Sequence, residues 1–217
     1  PLAAARRMVP DEYFTVAEIF PEEAVFFVGT GDFQDCPIGA YREMYLGFYT
    51  ENREGALPVT REDNLAEFTR NESKMYMWKN WVTTEAAMEK MDRAGSKIFR
   101  RGEIDRSQTD TATTFTMNHP TEGGIHFSAP RFSEQSQTGI NMKRTHYGRL
   151  HEEPSRCLLD LNLDTMVTTL GQGRLELTGA LAEECAELGG IEIPMVAIWI
   201  EQMDFDMHKA VRLPAMP

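Results

Sequence analysis

Stretches of two-fold alternation run through much of this chain, and they predict strands. Cys157, Leu159, Leu161 and Leu163 alternate with Leu158, Asp160, Asn162 and Asp164, a period that turns every second side chain to one face of a sheet. Ser107 to Met117 carries threonine at nearly every second place and reads as a half-buried strand. Tyr41 to Tyr49 and Met75 to Val82 are rich in aromatic residues, and each is long enough to cross a sheet. Arg174 to Thr178 and Ile193 to Met207 add further strands; in the latter, Met203, Phe205 and Met207 face away from Asp204 and Asp206. Phe26 and Phe27 belong to an apolar run that stops at Gly29.

Helix signals are fewer. Leu2 to Met8 predicts one, stopped by Pro10. Thr84 to Ala94 predicts another: Ala87, Met88, Met91 and Ala94 share a face, Thr83 or Thr84 can cap it, and Gly95 ends it. The polar stretches Thr50 to Ser73 and Pro120 to Thr138 read as long surface loops. Many strands with few helices predict an α+β, β-dominated fold, an antiparallel cone-like barrel with peripheral helices. One domain over residues 1–217 is expected, and a start at Pro1 implies that an N-terminal segment is missing.

Composition narrows the function. The net charge of -12 disfavours nucleic acid and anionic membranes, which attract basic surfaces. No apolar run is long enough for a membrane helix. Cys36, Cys157 and Cys185 are odd in number and scattered, which fits reduced thiols in the cytoplasm. His119, His126, His146, His151 and His208 lack the spacing of a metal motif. Gly29-Thr30-Gly31 resembles the start of a dinucleotide turn, but Gln34 replaces the third glycine, so a plain loop turn is expected. Met75-Tyr76-Met77-Trp78 reads as strand core or pocket lining.

The candidate chemistry centres on Lys97. The chain has six lysines against sixteen arginines, and this one follows a helix stop and opens Lys97-Ile98-Phe99, the expected start of a strand. A lysine desolvated there can lose its proton near neutral pH and attack a carbonyl, forming a Schiff base.

Several segments occur in the order found in the acetoacetate decarboxylase-like family, which the chain resembles as a divergent member. They are the early helix ending at Pro10, Gly39-Ala40-Tyr41-Arg42-Glu43, the strand, helix and lysine over Val82 to Lys97, Pro154-Ser155-Arg156, Gly173 to Leu177, and Ile193-Pro194-Met195. The resemblance implies an imine-forming Lys97, a pocket glutamate at Glu43 with Glu51 as the reserve, a homo-oligomer and a small keto acid as substrate; no cofactor or metal is expected. It implies a Schiff-base lyase that decarboxylates a β-keto acid. An aldolase or dehydratase using the same lysine, and a non-catalytic small-molecule binder, remain open. The family's proline before the lysine is Ser96 here, and the second lysine of the true decarboxylases is Ile98.

Overall fold

The computed structural model describes residues 1–9, 13–51, 59–70, 73–131 and 136–214. The predicted helix stop, Pro10, and parts of both predicted loops lie outside the described residues. Strands dominate, and the chain divides into two compact units. The first holds Pro1–Arg100, Met142–Asp160 and Phe205–Pro217; the second holds Arg101–Asn141 and Leu161–Asp204.

In the first unit, β1 (Phe26–Phe33) pairs antiparallel with β2 (Tyr41–Tyr49), which pairs antiparallel with β3 (Ser73–Val82). Gly29-Thr30-Gly31 is thus strand, not a loop turn. β4 (Phe99–Arg101) also pairs with β3. β3 then runs parallel to β8 (Ser136–Leu150), so the sheet is mixed where all-antiparallel pairing was expected. β8 and β9 (Glu153–Leu170) are hydrogen-bonded neighbours joined by His151-Glu152, both left-handed at φ 50 and 64, as a tight hairpin of this twist requires. β12 (Met203–Met207) and β13 (Val211–Arg212) also pair with β9.

Pleat parity sorts the side chains of this sheet. Met44, Leu46, Phe48 and Trp81 share one face and are completely buried. One extra residue, Trp78, bulges from β3 where the register shifts between Leu46 and Gly47. The bulge keeps Met75 and Met77 on the face of Asn80 and Val82, where an unbroken pleat would have turned them away.

Among the described residues, three helices accompany this unit. α1 (Leu2–Met8) lies where the sequence predicts it. α2 (Arg61–Thr69) occupies ground expected to be loop, started by a capping box in which Thr60 and Asp63 bond each other's backbone. α3 (Glu85–Arg93) is capped by Thr84, whose side chain accepts from Ala87 N–H.

The second unit contains a four-stranded antiparallel sheet in the order β10 (Arg174–Thr178), β7 (Gly123–Pro130), β6 (Ala112–His119), β5 (Glu103–Gln108). The single strand expected over Ser107 to Met117 is a β5–β6 hairpin, with the Thr109 hydroxyl accepting from Ala112 N–H at 3.1 Å in its turn. β7 lies within the second expected loop. Ile104, Phe115, Met117, Ile125 and Leu175 form its buried side. α4 (Ala180–Cys185) follows β10, and β11 (Val196–Ile200) pairs with β9. No described helix is long and apolar enough to cross a membrane.

Candidate active site

Glu43 occupies the third position of β2, so the two-fold pleat places Tyr41, Tyr45 and Tyr49 on its face. Register extends that face across the sheet. Val82 lies opposite Glu43 and Asn80 opposite Tyr45 on β3, while His146 of β8 lies beside Met75. Arg144 precedes His146 by two residues and therefore shares its face.

This face has a closed polar end. Glu43 is 9% exposed and Asn80 not at all. Tyr41, Val82 and Ala87 of α3 form a buried cluster there, with Met88 and Phe99 packed against it. The Asn80 side-chain amide donates to the Glu43 carboxyl at 2.5 Å, while its own carbonyl is enclosed with no hydrogen-bond partner. Burial pushes the Glu43 carboxyl up to about 7, against a smaller downward pull from the Asn80 bond. A carboxylic acid that titrates near neutral pH can give or take a proton under ordinary conditions.

Arg144 donates to the phenol of Tyr45, although Arg144 stands opposite Ser73 and Tyr45 opposite Asn80. On a flat sheet, the stretch from Ser73 to Asn80 would cover roughly 23 Å at ~3.3 Å per residue, beyond the combined reach of the two side chains. The contact therefore requires a coiled sheet, with this face on its concave side. Burial raises the Tyr45 phenol, and the Arg144 charge opposes that rise. Burial, then the Arg144 charge, pushes His146 down to about 4, so its imidazole is neutral at pH 7.

Gly29 makes the position of Tyr45 available. A methyl group built there would lie 2.1 Å from the Tyr45 ring, so the ring rests directly on the β1 backbone. Gly29→Ala is expected to lose about 1–3 kcal/mol of stability through overpacking and to displace Tyr45. Urea denaturation and the near-ultraviolet tyrosine spectrum would check both effects.

The expected dry amine at Lys97 is corrected by its surroundings. Its side chain is 67% exposed and its ammonium lies 3.4 Å from the Asp92 carboxylate. The cause is local. α3 ends in a Schellman turn, with Gly95 N–H bonded to Asp92 O and Ser96 N–H to Met91 O, and Gly95 at φ +88. That turn folds Lys97 back beside the last turn of α3, where Asp92 meets it. Lys97 is not brought to either glutamate by any hydrogen bond or ion pair among the described residues. Glu51 follows the end of β2 and pairs with Arg6 of α1 at 3.4 Å, which anchors that helix and leaves Glu43 as the enclosed acid. Lys97→Ala is accordingly expected to shift stability by no more than about 0.5 kcal/mol, read from urea midpoints.

No family model matches the sequence, and no curated protein sequence matches it. Solved structures do. Acetoacetate decarboxylase from Legionella pneumophila superposes at TM-score 0.55 and 10% identity, over 91% of this chain and 78% of that one. A second acetoacetate decarboxylase gives 0.54 and 12%, over 97% and 83%. This is an acetoacetate decarboxylase-like fold. An acetoacetate decarboxylase-like enzyme from Sphingomonas wittichii gives 0.53 and 12%, over 99% and 87%.

The strand that carries Glu43 contains the Tyr41-Arg42-Glu43 part of the segment on which the sequence resemblance rests. Tyr45, Asn80, Arg144 and His146 were not singled out by sequence. A polar Asn80 inside an apolar, aromatic run was a usable signal, because buried asparagine is uncommon. Counting by two from Glu43 would have reached Tyr45.

Proposed function

We propose that the chain is a small-molecule enzyme of the acetoacetate decarboxylase-like type, a carboxy-lyase acting on a keto acid, in which Glu43 handles the proton. The buried Glu43 carboxyl, titrating near pH 7 on the concave polar face, carries this reading. A closed cone-like barrel around that face belongs to the same proposal.

An imine route needs a desolvated amine, and the exposed, ion-paired Lys97 does not offer one. Protonated Glu43 can instead donate to the keto oxygen of a β-keto acid. The bond to the carboxylate then breaks, its electron pair forms the carbon–carbon double bond of an enol, and carbon dioxide leaves. As the enol becomes a ketone, Glu43 recovers the oxygen-bound proton and the carbon takes one from solvent, so one proton is consumed per turnover. General acid catalysis of this kind contributes about 10²–10⁴-fold.

Incubation with acetoacetate, followed by proton NMR for acetone, tests the activity. Turnover that survives Lys97→Ala, with no mass added to Lys97 after borohydride reduction, is the expected result. Turnover lost with Lys97, together with a borohydride adduct there, would restore the Schiff-base lyase or the related aldol and dehydration chemistry. Saturable binding without turnover of any keto acid would indicate a non-catalytic binder.

A further inference from the structure

Arg144 poses a charge problem that the proton chemistry of Glu43 leaves unsolved. A guanidinium keeps its proton in proteins, and Arg144, half-buried on this face, has part of that fixed charge withdrawn from water. Among the described residues, no carboxylate pairs with Arg144; its partner is the neutral Tyr45 phenol, and its Nε is enclosed with no acceptor. Two positions along β8, the His146 Nε2 is likewise enclosed and unpartnered. The two neighbouring side chains thus both present polar nitrogens lacking a partner.

We propose that Arg144 and His146, with Tyr45 holding the guanidinium in place, form the subsite for the carboxylate of a singly charged oxo acid. This deepens the reading of Glu43 as the proton-handling acid, and rests on it. A count of charges selects the ligand class. With Glu43 protonated and Tyr45 and His146 neutral, Arg144 contributes the one full charge of the group. One carboxylate balances it. A second would lie on this half-buried face without a counter-ion, and a neutral ketone would offer the guanidinium no opposite charge. Because the whole chain carries -12, long-range attraction does not draw an anion in, and the local cation must hold it. Arginine suits the task, since its planar fork matches a carboxylate.

The test uses pyruvate as the monoanion, acetone as the neutral ketone and 2-oxoglutarate as the dianion. Binding is read by calorimetry at pH 6.5, and the His146 imidazole is followed by carbon-13 NMR. Pyruvate is expected to bind at least about tenfold more tightly than either comparison ligand, and Arg144→Met to lose at least about tenfold of that affinity. Bound carboxylate should also raise the His146 titration midpoint in the wild-type chain, because a nearby negative charge favours the imidazolium. That second readout does not depend on how the Arg144 variant folds. Glu43→Gln should retain pyruvate binding, so loss of turnover and loss of the subsite are separable. No saturable pyruvate binding, equal binding of acetone, or an unmoved His146 titration with pyruvate bound would each overturn the proposal.

Discussion

Replacing Glu43 with glutamine is expected to lower acetoacetate turnover by about 10²–10⁴-fold, the usual worth of a positioned general acid. Glutamine keeps the carbonyl oxygen that accepts from Asn80 at 2.5 Å, so the substitution removes the proton and spares the hydrogen bond. In the unsubstituted chain, kcat/KM for acetoacetate should fall as pH rises through about 7, because the acid is lost as Glu43 ionises. The falling limb should be absent from the residual activity of the variant.

The same substitution should stabilise the chain in alkali. Glu43 titrates at about 7 when folded against an ordinary value of 4.5, so between those limits the folded state binds more protons than the unfolded state. Stability therefore falls as pH rises through this window, by about 3 kcal/mol at 1.36 kcal/mol per pH unit. Glu43→Gln removes the dependence. Urea midpoints should favour the variant at pH 8.5 and agree with the unsubstituted chain near pH 4. A variant that is less active yet more stable is expected where a buried carboxyl is retained for chemistry at the expense of stability.

Trp81→Ala should cost about 3–5 kcal/mol, the largest loss of stability expected from one substitution in the first unit. Trp81 is completely buried on the apolar face, opposite Met44, whose side chain is also inaccessible. Its neighbour Asn80 points to the concave face, so adjacent residues of β3 serve the core and the site in turn. Chemical denaturation of Trp81→Ala, with far-ultraviolet circular dichroism to confirm that the fold forms, checks the magnitude. A loss below about 1 kcal/mol would mean that this face is not the packed side of the sheet.

Those adjacent residues show what was legible in sequence. Two-fold alternation in Cys157 to Asp164 and the apolar, aromatic runs at Tyr41 to Tyr49 and Met75 to Val82 mark strands because one face of each must leave water. The stretch within β8 that carries Arg144 and His146, Asn141 to His146, offers a single apolar inward residue, Met142; the next two inward residues are themselves polar, so hydrophobicity does not register them. α2 was missed for a related reason. Its start depends on the Thr60–Asp63 capping box within a polar stretch, not on an apolar stripe.

Glu43 was accessible through the segment in which it stands, but the place of Lys97 was not. An apolar neighbour in sequence, Ile98, suggested burial. The direction of the chain after α3 is decided by the Gly95 turn, and that turn delivers Lys97 to Asp92 in solvent. Desolvation belongs to the folded surface around a group, and neighbouring letters report it poorly.

The charge state of one enclosed side chain underlies the proposed chemistry, and it can be observed directly. Carbon-13 labelling of glutamate, with the Glu43 carboxyl resonance assigned by its absence in Glu43→Gln, would follow its ionisation from pH 3 to 9. The midpoint is expected near 7. A midpoint in the ordinary glutamate range, around 4.5, would show an ionised carboxylate at neutral pH and contradict the account.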